Sequence, residues 1–244
     1  MPTALFSAKS DWWKKEFEHL YLDAYRKRLD ASAKKEATSV SHFLKLKKGQ
    51  AVLDVACGYG RHAVILARLG YDVTGVDFSK TQLMLAKQLA GKSKRAPVFV
   101  QGDMCNLHLS RVFDAAYCLF TSFGFFSDKD QERALRSIRT HLKPGGEFLL
   151  DLPNPSRVLP LHGMTQVVES GTVSHRIDLK KKRWIMRLQQ GRRQFVSSVR
   201  LYSLPELRTL MSHNGFRFVR AFGDFEGSRY GQKKKRLIVV AKAI

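Results

Sequence analysis

Three carboxylates and two glycines carry the most legible chemistry in this chain. Asp54 lies in the apolar run Val52-Leu53-Asp54-Val55, which passes directly into Ala56-Cys57-Gly58-Tyr59-Gly60-Arg61-His62. The expected reading is a buried strand, a glycine-opened turn and a helix beginning near Ala63. Gly58 and Gly60 accept positive φ and let a ligand approach the backbone with no Cβ in the way. The helix that follows aims its unpaired N–H groups at the same place. Such a turn is a cradle for a nucleotide moiety. Asp77 closes a second run, Val73-Thr74-Gly75-Val76, and Asp103 closes a third, Val98-Phe99-Val100-Gln101-Gly102.

The identity of the ligand turns on charge. Gly58-x-Gly60-x-x-Ala63 also fits the dinucleotide fingerprint, whose turn holds a pyrophosphate. Asp54 would set a carboxylate against that diphosphate. S-adenosylmethionine carries a sulfonium and an ammonium and no phosphate, so Coulomb attraction favours it over a nicotinamide dinucleotide. An acid ending the second strand is where such folds hydrogen-bond a ribose diol, the role expected of Asp77. Asp103, with the backbone of Met104 beside it, is placed to accept from an adenine amino group.

Acids at the ends of successive strands require a βαβαβ frame to bring them to one edge. A fourth run, Phe113-Asp114-Ala115-Ala116-Tyr117-Cys118-Leu119-Phe120, leads through a helical stretch at 131–141 to Leu142-Lys143-Pro144-Gly145-Gly146 and a fifth strand, Phe148-Leu149-Leu150-Asp151-Leu152. Residues 153–200 break this pattern: Pro153, Pro155 and Pro160 end any helix, and the rest alternates as antiparallel strands do, as in Val167-Val168-Glu169-Ser170-Gly171 and Trp184-Ile185-Met186-Arg187-Leu188. Residues 204–213 are expected to be helical, followed by closing strands at 216–222 and 236–242. The predicted fold is α/β: a Rossmann-like, doubly wound, seven-stranded sheet with five parallel strands and a closing antiparallel hairpin. Residues 1–46 form a helical lid, 48–152 the cofactor-binding half, 153–200 an antiparallel insertion over the substrate site, and 201–244 the last helix and strands, all in one domain.

These motifs, in this order, resemble the class I S-adenosylmethionine-dependent methyltransferases, in the small-domain group often filed as methyltransferase domain 11/25. The resemblance rests on the 54–62 loop with its Gly60-Arg61-His62 ending, Val73-Thr74-Gly75-Val76-Asp77, Gln101-Gly102-Asp103-Met104, Thr121-Ser122-Phe123-Gly124-Phe125-Phe126 and Leu142-Lys143-Pro144-Gly145-Gly146. The tail Leu201-Tyr202-Ser203-Leu204-Pro205-Glu206-Leu207 followed by Gly215-Phe216 extends it over nearly the whole chain. It implies S-adenosylmethionine as cofactor, with Asp54, Gly58 and Gly60 around the methionine part, Asp77 on the ribose, and Cys57, Arg61 and Phe78 also among the cofactor-binding residues. It puts Asp103 and Met104 at the adenine, and Leu119 and Phe120 with the residues up to Ser122 beside the sulfonium. Candidate acceptor residues are Tyr21, Tyr25, Thr121, Phe123 and Trp184. Ala56-Cys57 departs mildly from the glycine or proline of many relatives. For the N-terminal aromatics a second reading stands, in which Trp12, Trp13, Phe17 and Tyr21 only pack helices against the core.

Composition agrees with one soluble domain. At 244 residues and 44% hydrophobic, the chain can bury a single α/β core. It shows neither a membrane span nor a signal-peptide pattern, so a cytoplasmic protein is expected. Cys57, Cys105 and Cys118 form no C-x-x-C pair, which points to reduced thiols and no metal site. The net charge of +22 is far from that of an ordinary small-metabolite enzyme. Arg176, Lys180, Lys181, Lys182, Arg183, Arg187, Arg192, Arg193 and Arg200 face the single acid Asp178 within 176–200. That rim reads either as an RNA-binding surface, with Trp184 stacking on a base, or as a solvated face with Trp184 in the insertion's own core.

The expected activity is transfer of a methyl group to an O or N atom of a small molecule; action on RNA or a ribosome-associated protein is the alternative. Phe120, Phe123, Phe125 and Phe126 make the sulfonium end apolar, suited to a cationic donor over aromatic faces. The Asn/Asp-Pro-Pro-Tyr run of amino-methylating enzymes on planar nitrogens is missing after the fourth strand, as is a proline-cysteine pair for attack on a pyrimidine. His62 and His162 are the histidines that invite a general-base role, and neither is assigned one. A cofactor-binding protein without transfer activity is a further alternative from another class.

Overall fold

A computed structural model describes residues 20–169 and 171–244, with side chains described from residue 26 onward. The strands Ala51–Val55 (β1), Asp72–Asp77 (β2), Val98–Gln101 (β3), Phe113–Cys118 (β4) and Leu142–Pro153 (β5) run parallel. Phe216–Phe222 (β10) and Arg236–Ala243 (β11) form an antiparallel hairpin on β5. The seven strands order as β10-β11-β5-β4-β1-β2-β3, so direction of winding reverses between β4 and β1. That reversal opens a crevice at the carboxyl ends of the strands, where doubly wound sheets bind ligands.

Alternation along the buried strands divides the core between two faces of the sheet. Leu53 and Val55 join Phe148 and Leu150 on one side, while Val52 joins Tyr117 and Leu149 on the other. Helices Leu20–Phe43 (α1), Arg61–Arg68 (α2), Lys80–Ala90 (α3), Asp128–Thr140 (α4) and Leu204–His213 (α5) accompany the sheet. Side-chain oxygens of Ser79, Ser127 and Ser203 cap α3, α4 and α5 by accepting from the amides of Gln82, Asp130 and Glu206. In α4, Asp128 and Asp130 in the first turn and Arg139 in the last complement the helix dipole.

The insertion is a four-stranded antiparallel sheet of Thr165–Val168 (β6), Gly171–Asp178 (β7), Arg183–Gln190 (β8) and Arg193–Arg200 (β9). Three local expectations need correction. Residues 167–171 are not one strand: β6 ends at Val168 and β7 begins at Gly171, where a Cβ would meet the Gln189 carbonyl oxygen at 2.1 Å. Residues 142–146 already belong to β5, which was expected from Phe148 onward, with a register irregularity opposite Phe113 and Ala115 absorbing the glycines. The third strand stops at Gln101, which leaves Asp103 in a turn where its carboxylate accepts from the Cys105 amide at 2.9 Å. The three cysteines are buried and unpaired by disulfides. Among the described residues no helix is long and apolar enough to cross a membrane, and no cluster of metal-ligating side chains is found.

Candidate active site

The crevice between β4 and β1 holds a partly enclosed cavity. Asp54, Cys57, Gly58, Arg61, Asp77, Phe78, Asp103, Met104, Leu119 and Phe120 all line it. After β1 the backbone turns through positive φ at Ala56 (59°), Gly58 (55°) and Gly60 (75°). Gly58 has only the Gln82 side-chain oxygen near a would-be Cβ, at 3.8 Å, so its role is conformation and ligand approach. Gly60 departs from its expected place at the methionine part. A Cβ there would lie 2.7 Å from the Phe99 ring and 2.9 Å from Ala86, so Gly60 lets α2 pack on β3 and α3.

Asp77 ties the cradle together. Its Oδ2 accepts from the Gly58 amide at 2.8 Å and its Oδ1 from the Ser79 amide at 3.0 Å, while each oxygen keeps a lone pair for a ligand hydroxyl. Burial pushes its carboxyl above the usual range, against these backbone donors.

Asp54 is 2% exposed, and its Oδ2 has no hydrogen-bond partner. Burial raises its pKa to about 7; the Tyr117 hydroxyl beside it and the nearby Arg61 oppose the rise, and the charge of Asp77 adds to it. Arg61 lines the same cavity and has a buried Nε–H with no acceptor. An orphaned carboxylate oxygen and an orphaned guanidinium N–H in one enclosure match the ammonium and carboxylate of an α-amino acid end. The residues therefore fit the zwitterionic amino acid end of S-adenosylmethionine, whereas the buried Asp54 opposes a pyrophosphate.

The raised pKa has a definite pH sign. Asp54 holds its proton more tightly folded than unfolded, so folding takes up a proton between about pH 4 and 7, and this group's contribution to stability is lost as pH rises through that window. A bound cation reverses the preference and releases the proton. Affinity for S-adenosylmethionine is expected to rise from pH 6 to 8. At pH 6.5, binding enthalpies in buffers of different ionisation heat should report release of up to about one proton. Enthalpies independent of the buffer at that pH would contradict this role for Asp54.

Helix α1 contributes to the same enclosure. Leu29 lines it, Asp30 accepts from the Tyr59 hydroxyl at 2.7 Å, and the buried Glu36 lies 2.8 Å from His62 Nε2 and 3.4 Å from Arg61 Nη2. His62 is held neutral, its pKa lowered to about 4 by burial first and by Arg61 second, against the pull of Glu36. Its ring stacks on Phe120 with centroids 5.8 Å apart. The Arg61 guanidinium lies 4.1 Å from the Phe120 ring centre, so that aromatic face already has a cation on it.

Several expected acceptor residues lie elsewhere. Phe123 is fully buried in the core, and Thr121 turns its backbone to Asp151. Trp184 packs with Val158, Ile177 and Leu201 and donates to His175 Nδ1 at 3.2 Å, as a residue of the insertion's own core. His162 accepts from the Ile177 amide at 2.9 Å and does not line the cavity. Tyr21 and Tyr25 have side chains outside the described residues, as do Trp12, Trp13 and Phe17. Leu29, Tyr59 and Gln82 line the cavity without having been singled out. Gln82 had a signal, since it stands three residues after the Ser79 cap.

Comparison with known proteins agrees with this geometry. Residues 52–146 match the family model described as a methyltransferase domain. A glycine/sarcosine N-methyltransferase of Parasynechococcus marenigrum is 29% identical over 89% of this chain and 82% of its own. A cypemycin N-terminal methyltransferase from Streptomyces is 28% identical, over 79% and 82%. Among solved structures, an amino pentose methyltransferase from Micromonospora echinaspora with S-adenosylmethionine bound superposes with a TM-score of 0.67 at 26% identity, covering 93% of this chain and 97% of that one. Residues 52–146 thus match a methyltransferase domain, and over most of its length the chain is similar to S-adenosylmethionine-dependent methyltransferases.

Proposed function

We propose that this chain is an N-methyltransferase acting on the amine of a small molecule, with Asp54, Gly58, Arg61, Asp77, Asp103 and Met104 holding the cofactor. The observation that carries the cofactor assignment is the pair of oppositely charged, unsatisfied buried atoms, Asp54 Oδ2 and Arg61 Nε, in one cavity. The relatives named above include a glycine/sarcosine N-methyltransferase and an N-terminal methyltransferase, which supports nitrogen over oxygen.

Bound S-adenosylmethionine supplies an electrophilic methyl group on a sulfonium. The protein's own residues bind, align and exclude water. Asp77 accepts from the ribose diol, and Asp103 with the Met104 backbone engages the adenine. Asp54 and Arg61 neutralise the amino acid end. Leu119, Phe120, Phe125 and Phe126 form a dry wall at the β4 side, where proximity and desolvation supply most of the rate. In this reading α1 is a lid, the four-stranded insertion covers the acceptor, and the protein is cytoplasmic. His62 is neutral at physiological pH and donates to Glu36 through Nε2, an orienting role that leaves an amine acceptor to arrive unprotonated.

The RNA reading is weakened by what the basic residues do. Within 176–200, Arg183 bonds carbonyls of the 122–126 turn, Arg200 pairs with Asp128 and Glu206, and Lys182 pairs with Glu206. Glycine, sarcosine and a short peptide with a free N-terminus are the first acceptors to assay. Formation of S-adenosylhomocysteine that depends on one of them is the expected result. Turnover with bulk RNA and none with any amine would overturn the proposal.

A further inference from the structure

Residues 119–126, between β4 and α4, supply Leu119, Phe120, Ser122, Phe125 and Phe126 to the cavity wall. Asp77 and Asp103, at the β2 and β3 side, take the nucleoside in the reading above. The opposite, β4 side therefore faces the transferable methyl, and this inference rests on that reading. The segment is not relaxed. Phe120 and Thr121 are consecutive left-handed residues, with φ of 55° and 73°, a conformation that is unfavourable for a side chain with a Cβ. Such a conformation persists only where its surroundings impose it.

Two arginines from different sheets impose it. At one end, the Phe120 amide donates to Asp151 Oδ2 at 2.9 Å and the Thr121 amide to the Asp151 carbonyl at 3.2 Å. Asp151 is 0% exposed and is gripped from β11 by Arg236, whose Nε and Nη2 donate to the two carboxylate oxygens at 2.6 Å each. Arg236 Nη2 also lies 3.4 Å from Thr121 Oγ1. At the other end, Ser122–Phe125 is a single 3₁₀ turn whose last carbonyls have no partner within it. Arg183, from β8 of the insertion, donates to Gly124 O at 3.1 Å, Phe125 O at 3.0 Å and Phe126 O at 3.1 Å. The same guanidinium is held by Ser198 Oγ at 2.7 Å and Ser198 O at 2.8 Å. Gln131 Nε2 adds bonds of 3.2 Å to Phe123 O and Phe126 O. Gly124 permits the close approach, because a Cβ there would lie 2.8 Å from Val199 Cγ1 on β9.

We propose that Arg183 and the Asp151–Arg236 pair are positioning residues for methyl transfer: they clamp both ends of the 119–126 segment and set the wall facing the donor methyl before an acceptor arrives. Arg183 also couples the insertion to that wall, so a residue that reads as part of a basic rim belongs to the machinery of alignment. Arg183→Lys keeps the charge but loses the planar fork that reaches three carbonyls.

The probe is S-adenosylmethionine labelled with ¹³C at its methyl group, bound to wild type, Arg183→Lys, Asp151→Asn and, as control, the exposed Arg176→Gln. Arg183→Lys and Asp151→Asn are expected to move or split the bound methyl resonance while affinity stays within about threefold, since the nucleoside contacts lie on other loops. Turnover in those variants should fall at least about tenfold at saturating cofactor, the scale of effect expected from misalignment. The control should match wild type. A methyl resonance in Arg183→Lys that coincides with wild type would overturn the proposal. If Arg183→Lys does not fold, Ser198→Ala, which removes one partner of the guanidinium, must reproduce the shift in smaller measure. A wild type with no bound methyl signal would instead sink the cofactor reading, so the two failures are distinct.

Discussion

Asp77→Ala is expected to weaken S-adenosylmethionine binding about a hundredfold at 25 °C. The loss has two sources. A hydrogen bond from a ribose hydroxyl to a carboxylate contributes about 1.5–3 kcal/mol, and two backbone amides lose their acceptor at once. Those amides belong to Gly58 and Ser79, so the glycine turn and the start of α3 lose the group that ties them together. Asp77→Asn should fall between, because its carbonyl oxygen serves one amide while its NH₂ is set against the other. Calorimetric titration of the three proteins reads this directly. An affinity unchanged in Asp77→Ala would remove Asp77 from the site.

Gly60→Ala is expected to destabilise the fold by about 3 kcal/mol in urea unfolding, combining about 1 kcal/mol for a left-handed alanine with about 2 kcal/mol for overpacking. The Phe99 ring and Ala86 stand 2.7 Å and 2.9 Å from the new methyl, on the strand and helix that α2 packs against. Gly145 is the internal comparison. It has the same φ of 75° but nothing within 4 Å of a would-be Cβ. Gly145→Ala should therefore cost only about 1 kcal/mol, the conformational part. Equal costs at the two positions would show that packing at Gly60 has been misjudged.

The frame of this protein was legible because its central strands β1, β2, β4 and β5 are apolar and largely buried, and acids or glycines lie at or just past several of their ends. Val52-Leu53-Asp54-Val55 and Val73-Thr74-Gly75-Val76-Asp77 announce their edges, and Ser203-Leu204-Pro205-Glu206 announces the cap of α5. That Asp54, Asp77 and Asp103 line one cavity was legible for the same reason, since they sit at or just past strand ends. The acceptor side was not. Glu36 meets His62 across 26 residues, and Arg183 meets Gly124 across 59. No local period encodes such partners. Trp184 among cations looks like a stacking platform in the chain, yet β7 and β8 pair it with Ile177 and bring His175 to its indole. The left-handed pair Phe120-Thr121 was hidden too. Neither residue favours that conformation, and only Asp151 and Arg236, at 31 and 115 or 116 residues' distance, impose it.

The charge of +22 is also partly accounted for by the fold. Arg183, Arg200 and Arg236 look like surface cations in the sequence, but they satisfy carbonyls and carboxylates inside the molecule. Those that stay exposed create a positive field that draws anionic molecules, whatever the acceptor.

The measurement that tests the central claim most directly is calorimetric titration of the wild-type protein with S-adenosylmethionine and, separately, with NAD. One site with about micromolar affinity for S-adenosylmethionine and no detectable heat with NAD is the predicted result. Binding of NAD by a folded sample that ignores S-adenosylmethionine would contradict it, and the glycine turn would then have to hold a pyrophosphate in spite of Asp54.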